Sequence, residues 1–435
     1  MILRLLCLTS CVIAAPLWGQ GRAPDRLAAE IDRRTAAVES LVVAWRRDIH
    51  QHPELGNRET RTAQLVADHL RRLGLEVRTG VAHTGVVGVL GGGKPGRVVA
   101  LRADMDALPV TEQVDLPFKS TVRTIYNGQD VGVMHACGHD NHTAMLMGVA
   151  QVLAGVQAEL PGTVVFLFQP AEEGAPAGEE GGAALMLKEG VFDSPRPEAI
   201  FALHVFPDTV GHIKYRSGPA LAASDPLRIV VRGRQTHGAQ PWKGVDPITV
   251  AAQIVLGLQT IPSRQTDVTV GPAVVTIGRI DGGVRNNIIP DSVVLLGTVR
   301  TFDASMQDDI HTRIRRTATL IAQSAGATAE VTIQKSYPVT VNDPALVERM
   351  VPTLARVAGA GALGTGRLRT GAEDFSFFAQ RVPGFYFYLG VTPPGQDLDT
   401  VAVNHSPLFY ADERALPVGV RALAHLAVDY LRGGR

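Results

Sequence analysis

Apolar residues recur along the N-terminal part of the chain with the spacing of amphipathic helices. Over residues 25–73 they return every three or four positions, and Pro53 with Gly56 divides this stretch into two helices. The second helix is expected over about residues 57–74. The chain therefore begins with a predicted helical pair.

Short, continuous apolar runs follow, and they predict buried strands. Four such runs lie in the first half of the chain, at residues 86–90, 98–102, 163–168 and 199–204. An apolar helix is expected over residues 143–153, between the second and third runs. Strands that alternate with helices predict an α/β layer with a mainly parallel sheet, in which sites gather beyond the carboxyl ends of the strands.

The pattern changes near Ser224. Six elements follow in the order β-α-β-β-α-β, at residues 227–232, 246–258, 273–277, 292–299, 307–325 and 329–333. This order predicts a ferredoxin-like α+β sandwich. A helix after Asn342, a strand over 384–390 and a helix over 413–431 close the chain. The expected organisation is one catalytic domain of residues 24–222 and 338–435, with residues 223–337 inserted.

The composition narrows the class of function. The chain has 435 residues, 45% of them hydrophobic and 19% charged, and its formal net charge is zero. A neutral chain with 5% aromatic residues offers neither a basic patch nor a base-stacking platform. No nucleic-acid partner is expected, and no membrane association of the mature protein.

Residues 1–22 have the pattern of a secretory signal peptide. Arg4 precedes an apolar run that is too short to span a bilayer comfortably. A buried N-terminal helix is the alternative, and a lipoprotein anchor at Cys11 is a minor one. We expect a secreted or periplasmic protein. Cys7 and Cys11 would be removed with the signal peptide, so that Cys137 would be the single thiol of the mature chain.

The segment 132–142 concentrates potential metal ligands. It holds one cysteine, one aspartate and three histidines within eleven residues. Thiolate, imidazole and carboxylate are the groups that bind zinc and similar divalent metals. Cys137 and His139 are one residue apart, and an extended backbone would point both side chains the same way. Further ligands must come from other parts of the chain.

Other candidate groups follow predicted strands. Glu172 and Glu173 come after the strand 163–168, and adjacent carboxylates suit a division between metal binding and proton transfer. A solvated acidic turn is the alternative. His204 ends another strand, although a lone histidine there is more often structural. Asp106 and His405 lie in loops after further strands.

Six motifs carry a resemblance to a known family. In chain order they are Arg102-Ala-Asp-Met-Asp-Ala-Leu-Pro109, Met134-His-Ala-Cys-Gly-His-Asp140, Gln169-Pro-Ala-Glu-Glu-Gly174, Ala202-Leu-His204, Gly371-Ala-Glu-Asp-Phe375 and Asn404-His-Ser-Pro407. Together they resemble the aminoacylase/carboxypeptidase family of di-metal hydrolases, in particular hippurate hydrolase and the indoleacetyl-amino-acid hydrolases. The resemblance covers essentially the whole mature chain.

The resemblance implies a binuclear metal site and a general base. Its implied ligands are Cys137, His139, Glu173, His204 and His405. Two divalent ions are expected, and the ligand set accepts zinc, manganese, cobalt or nickel. Glu172 is implied as the base that takes a proton from metal-activated water and returns it to the leaving amine. Asp106 is expected to orient a ligand histidine.

The inserted sandwich resembles the lid and dimerisation domain of this family. The resemblance implies that His237, in many members from the partner subunit, donates to the developing oxyanion. Asn287 is implied as a polar substrate contact. Arg300 is expected to pair with a substrate carboxylate, the alternative being a surface strand residue. Trp242 stands where relatives often have a second histidine, and Asn141 where glycine is common.

The leading hypothesis is an exported metal-dependent amidohydrolase that cleaves N-acyl amino acids and forms a homodimer through the inserted domain. A carboxypeptidase or dipeptidase on the same scaffold is the alternative enzyme. A non-catalytic binding protein is the alternative of another class. A purely structural zinc site is disfavoured, because such sites are closed four-ligand sets without a spare carboxylate.

Overall fold

A computed structural model describes residues 25–433 of the chain. Its α-helices are α1 Arg26–Gln51, α2 Thr60–Arg72, α3 His139–Ala154, α4 Gly182–Lys188, α5 Pro247–Thr260, α6 Ala304–Ser324, α7 Pro344–Ala358, α8 Phe375–Ala379 and α9 Leu416–Leu431. Its strands are β1 Glu76–Val81, β2 Gly85–Gly91, β3 Lys94–Asp104, β4 Arg123–Tyr126, β5 Gln129–Gly132, β6 Pro161–Gln169, β7 Ala199–Thr209, β8 Ile213–Tyr215, β9 Gly218–Leu221, β10 Ala223–Arg232, β11 Thr236–His237, β12 Val274–Gly282, β13 Ile288–Ile289, β14 Ser292–Thr301, β15 Thr328–Ile333, β16 Thr340–Asn342, β17 Leu363–Thr365 and β18 Gly384–Thr392.

The expected signal peptide, residues 1–22, lies outside the described residues, and so do Cys7 and Cys11. Within residues 25–433, no helix combines the length and the apolar content that a membrane crossing requires.

Aspartates begin four of the longer helices. Asp25, Asp246, Asp303 and Asp343 each accept hydrogen bonds from backbone N–H groups of the first helical turn. Those N–H groups have no partner within the helix, so a carboxylate placed there stabilises the helix start by about 1 kcal/mol. The starts of α1, α5, α6 and α7 are thus encoded locally.

An eight-stranded sheet forms the centre of the larger unit. Its strand order is β1-β2-β6-β3-β7-β18-β8-β17, and the four central strands, β6, β3, β7 and β18, run parallel. The strands β2 and β3, which follow each other in sequence, do not pair, because β6 lies between them. All four strands predicted in the first half of the chain belong to this sheet.

Helices cover both faces of this sheet, which explains why its central strands are mainly apolar. Val99 and Leu101 of β3 pack in the core that α1, α3, α7 and α9 share, whereas Ala100 packs with α4 and α8 on the opposite face. Alternate side chains of a strand point to opposite faces, so Arg102 and Asp104 follow Ala100 onto the α4/α8 face.

A second, four-stranded sheet lies between β9 and β16 in the chain. It is antiparallel with the order β12-β14-β10-β15, and α5 and α6 pack on one of its faces around a separate core. The chain order β10-α5-β12-β14-α6-β15 is that of the predicted ferredoxin-like sandwich. The predicted fold class, a mainly parallel α/β unit with an α+β insertion, is confirmed. The exact boundaries 222/223 and 337/338 stay a prediction.

Candidate active site

The parallel strands bring the predicted ligands to one edge of the large sheet. β3 is followed by Asp106, β6 by Glu172 and Glu173, and β7 carries His204 in its second half. Carboxyl ends of parallel strands meet at the same edge, where side chains from separate parts of the chain can converge.

The turn between Cys137 and His139 differs from the sequence-based expectation. The segment is not extended, because Gly138 has a left-handed backbone with φ of 92° and His139 is already the first residue of α3. A Cβ atom on Gly138 would lie 2.4 Å from Cγ2 of Val205. Glycine is therefore required there for both conformation and space.

The five predicted metal ligands lie together. Ligand atoms of Cys137, His139 and His204 are within 4.8 Å of one another, and the same holds for Cys137, Glu173 and His405. The two groups share the cysteine. Its sulfur is 3.3 Å from Nε2 of His204, and Nε2 of His405 is 3.0 Å from Oε1 of Glu173.

Hydrogen bonds at the far side of the rings orient two of the histidines. Nδ1 of His139 lies 2.8 Å from the backbone oxygen of Asp106 and 3.2 Å from its carboxylate. Nδ1 of His204 lies 2.6 Å from the backbone oxygen of Val205. These contacts point both Nε2 atoms into the site, as in metal centres where a second contact fixes the ring. Asp106, which was expected to orient a ligand histidine, lies beside His139.

The electrostatics of this cluster favour a cation. Nε2 of His139 is buried and finds no hydrogen-bond partner among residues 25–433. Burial opposes a charge on this ring, yet the carboxylates of Asp104 and Asp106 raise the pKa of His139 to about 10. Burial, with Glu173 and Glu172 nearby, also raises the pKa of the Cys137 thiol well above its usual value. Divalent metals fit this set of soft and anionic donors.

Glu172 lies beside the ligands in a cavity of about 650 Å³. Its Oε2 is 3.9 Å from Nε2 of His139, and its backbone oxygen accepts a hydrogen bond of 2.7 Å from the Tyr337 hydroxyl. Burial, reinforced by the carboxylates of Glu373 and Glu173, raises the pKa of Glu172 well above that of an ordinary glutamate. A raised pKa is the property of a residue that accepts and returns a proton near neutral pH.

Two further carboxylates hold the backbone of the Glu172–Glu173 loop. Glu59 is fully buried and accepts 2.9 Å from the N–H of Ala171, while Asp106 accepts 2.9 Å from the N–H of Glu173. Ala171 itself has a left-handed φ of 51°. Burial raises the pKa of Glu59 to about 8. Glu59 was not predicted as a site residue, since nothing near it in the sequence suggests a contact with a residue more than a hundred positions away.

A buried arginine connects the site to the C-terminal part of the chain. The Arg102 guanidinium lies 2.6 Å from Asp104, 2.9 Å from Glu373, 3.0 Å from Asp374 and 2.8 Å from the Gln169 amide oxygen. Each of these residues belongs to one of the quoted motifs, but the motifs alone did not indicate what these residues contact. The structure shows that the ends of β3 and β6 and the start of α8 are fixed to one cation.

Asp140 and His142, which belong to the 132–142 segment, contact other elements. Asp140 lies 2.8 Å from the buried guanidinium of Arg46 and fixes α3 to α1. His142 lies 2.5 Å from Asp104 and accepts 2.8 Å from the N–H of Val205. Asn141, the departure from glycine, lies in the first turn of α3.

The predicted substrate-binding residues separate into two groups. Arg300 lines the cavity. His237 and Asn287 are exposed, lie next to each other through the β11/β13 pair, and do not line the cavity of this single chain. Trp242 is 75% exposed beside them. One copy of the chain in this arrangement therefore leaves the implied oxyanion donor outside the site.

Most of the sequence matches a known family model. Residues 100–429 match the model described as peptidase family M20/M25/M40. The chain belongs to this family. It is a metal-dependent hydrolase, and the predicted family resemblance is confirmed.

Curated relatives include hydrolases with different names. "Thermostable carboxypeptidase 1" of Saccharolobus solfataricus is 40% identical over 398 residues, which cover 90% of this chain and 96% of the relative. "N-acetylcysteine deacetylase" of Bacillus subtilis is 37% identical over 397 residues, which cover 91% and 98%. The relatives thus include both a deacetylase and a carboxypeptidase.

Two solved structures share the fold. A putative aminohydrolase of methicillin-resistant Staphylococcus aureus has a TM-score of 0.84 at 32% identity, and the match covers 93% of this chain and all of that one. The YXEP protein of Bacillus subtilis, described as a dinuclear metal binding peptidase, has a TM-score of 0.77 at 36% identity, with 91% and 99% covered.

Proposed function

We propose that this M20 hydrolase is an amidohydrolase that removes the acyl group from N-acyl amino acids. The observation that carries the proposal is the convergence of five candidate metal-ligand side chains beside Glu172, four of which line the same cavity as Glu172 and Arg300. The amide that would be cleaved lies next to a carboxylate. A cavity with a cation beside the metal ligands suits that combination.

Two divalent ions would be held by the two ligand groups that share Cys137, namely Cys137, His139 and His204, and Cys137, Glu173 and His405. When bound, such ions polarise a carbonyl and lower the pKa of water. The chain supplies the remaining chemistry.

Glu172 is the proton carrier of the proposed reaction. It takes a proton from the attacking water and delivers it to the amide nitrogen as the carbon–nitrogen bond breaks, which releases the acid and the free amino acid. Asp106 holds the His139 ring and the Glu173 backbone, and thereby keeps the ligands in place. Arg300 binds the carboxylate of the amino-acid half through its planar guanidinium.

The test is hydrolysis of a substrate panel by wild type and Glu172→Gln. Both proteins are stripped with a chelator and reloaded with manganese, zinc or cobalt. The panel contains hippurate, N-acetyl amino acids, indoleacetyl-amino acids and dipeptides. Wild type should cleave the N-acyl compounds only when reloaded. Glu172→Gln should keep its metal but lose about 10²–10⁴-fold in kcat.

A carboxypeptidase on the same scaffold is the second candidate, favoured by the 40% identity to a protein named as one. Cleavage of peptides at the carboxyl end, with no cleavage of the other N-acyl amino acids, would replace the first proposal by this one. Metal bound without turnover of any panel member would favour a binding protein.

We further propose that the protein is exported and acts as a homodimer through the inserted domain. The signal-like pattern of residues 1–22 supports export, and the position of exposed His237 outside the cavity supports a second copy. Cell fractionation with N-terminal sequencing tests the first point. The second is tested at the end of the Discussion.

A further inference from the structure

Two arginines line the cavity without a carboxylate partner. Among residues 25–433, neither Arg300 nor Arg369 forms an ion pair. Arg300 was expected to face a substrate carboxylate. Arg369 lies in a loop before the Gly371–Phe375 motif, and its sequence environment gave it no role. It is a second, unassigned cation in the same cavity.

Aromatic rings and backbone hydrogen bonds fix the position of Arg369. The central carbon of its guanidinium lies 3.4 Å from the ring centre of Phe206 and 4.3 Å from that of Tyr388. Its backbone N–H donates 3.0 Å to the oxygen of Ala220, and its backbone oxygen accepts 3.1 Å from the N–H of Ala222. Its Nε is buried without a hydrogen-bond partner among the described residues. The group is held rigidly and has unused donors.

The position of this guanidinium is close to the metal ligands. Phe206 lies two residues after His204 on β7, so both side chains point to the same face, about 7 Å apart. Tyr388 is the direct partner of His204 on the neighbouring strand β18. A ligand whose amide lies at the metal centre would reach Arg369 with a side chain of ordinary length.

The acidic groups around the two arginines are already engaged. Asp208, which lies on β7 beyond Phe206, forms an ion pair with Lys214. Asp225, near Arg300, accepts hydrogen bonds from side chains of α6. Burial lowers the pKa of both Arg300 and Arg369, which reflects cations that lack a full counter-charge. Such groups bind anions strongly, because charge-assisted hydrogen bonds are worth most where water is excluded.

We propose that Arg369 binds a second carboxylate of the substrate, so that the preferred substrates are N-acyl amino acids with two carboxylates. This inference rests on the proposed function and specifies its substrate class. Arg300 takes the carboxylate that every N-acyl amino acid carries, and Arg369 takes another. The second carboxylate belongs either to an acidic amino-acid side chain or to a dicarboxylic acyl group, and both present the same planar anion.

Matched pairs of ligands distinguish these sources. N-acetylglutamate and N-acetylglutamine differ only in the charge of the side chain, and N-succinylalanine and N-butyrylalanine differ in the charge of the acyl group. Binding is measured by calorimetry to metal-loaded Glu172→Gln, which does not turn the ligands over. In at least one pair the charged member should bind about tenfold tighter or more.

The variant Arg369→Met tests the residue itself in the same background. Methionine keeps the contact with the two rings but removes the charge, and the preference for the charged ligand should fall by about tenfold. Arg369→Lys should keep part of the preference, because it keeps the charge without the planar fork. Arg367→Met is the matched control, since Arg367 is exposed, lies outside the cavity, and should leave the preference unchanged.

Equal binding of both members in each pair would overturn the inference. A uniform loss of affinity for all four ligands in Arg369→Met would also overturn it, since Arg369 would then bind the carboxylate that they share. Hydrolysis by wild type separates the two proposals. Efficient cleavage of the neutral members without charge preference would leave the amidohydrolase standing and refute the role of Arg369. Selective binding of the charged members without any cleavage would support the role of Arg369 and refute the proposed amidohydrolase activity.

Discussion

Gly138 allows two predicted metal-ligand side chains, Cys137 before it and His139 after it, to lie close together. The expectation of an extended segment was wrong, although its conclusion about Cys137 and His139 was right. A left-handed residue followed at once by a helix places the sulfur and the ring together. Sequence spacing alone does not distinguish these two backbones, because both bring residues i and i+2 near each other.

Gly138→Ala should lower both stability and metal content. Alanine at a left-handed position costs about 1–2 kcal/mol, and the overlap with Val205 should add about 1–3 kcal/mol. Metal content, measured by atomic emission, should fall well below that of wild type. Gly128→Ala is the control, because Gly128 has a similar φ of 77° but no atom within 4 Å of an added Cβ. Equal effects of the two substitutions would show that the contact with Val205 does not matter.

Glu59 gives a second test at the scale of single residues. Because the pKa of Glu59 is raised to about 8, its carboxyl group carries a proton at neutral pH. The neutral amide of glutamine resembles this protonated carboxyl group. Glu59→Gln should therefore retain most of kcat. Glu59→Ala frees the N–H of Ala171, and displacement of the Glu172 loop should lower kcat by about 10–100-fold while KM changes less.

The measurement is steady-state kinetics with melting curves for both variants, and Glu39→Ala on the exposed face of α1 is the control. If Glu59→Gln were as inactive as Glu59→Ala, a negative charge rather than a hydrogen-bond acceptor would be required at this position.

At the scale of elements, strong apolar patterns predicted the main strands and helices, and weak patterns were missed. β1 was not predicted, because five of its six residues are partly or fully exposed and it pairs only with β2 at the sheet edge. β8 and β17 have three residues each, too few for a period to appear. The predicted start of α3 at residue 143 was late by one turn, since polar residues occupy that turn.

The ion network around Arg102 joins elements that are far apart in sequence, and it could not be predicted for that reason. Arg102→Met leaves Asp104, Glu373 and Asp374 buried without their shared cation. Removal of one partner from a buried network costs about 3–5 kcal/mol. The shift of the urea unfolding transition measures this loss.

Arg123→Met is the matched control for Arg102→Met. Arg123 pairs with Asp130 across the exposed β4–β5 hairpin, where the arginine and aspartate side chains are 51% and 60% exposed. Its removal should cost less than about 1 kcal/mol. Similar losses for both variants would mean that the Arg102 network contributes no more than a surface pair.

At the scale of the whole molecule, the sequence predicted which groups meet at the sheet edge but not the state in which the site is complete. The predicted ligands Cys137, Glu173 and His405 converge within one chain. His237 does not join them. Sequence contains no direct record of how two copies are arranged, and so the contribution of a partner chain remains a proposal.

Complementation between two inactive variants tests that proposal. Glu172→Gln lacks the base but carries an intact His237. His237→Ala lacks the imidazole but carries an intact Glu172. If His237 acts in the partner's site, a mixed dimer contains one site with both residues intact. Random exchange of subunits should then restore about a quarter of wild-type activity, because half of the dimers are mixed and each has one working site. If His237 acts within its own chain after domain closure, every site of a mixed dimer lacks one of the two residues, and mixing should restore no activity.

Mass measurement by light scattering, made on the same samples, shows whether dimers are present. A monomer that is fully active at the assay concentration would refute the requirement for a partner, because its site would have to be completed by movement of its own inserted domain.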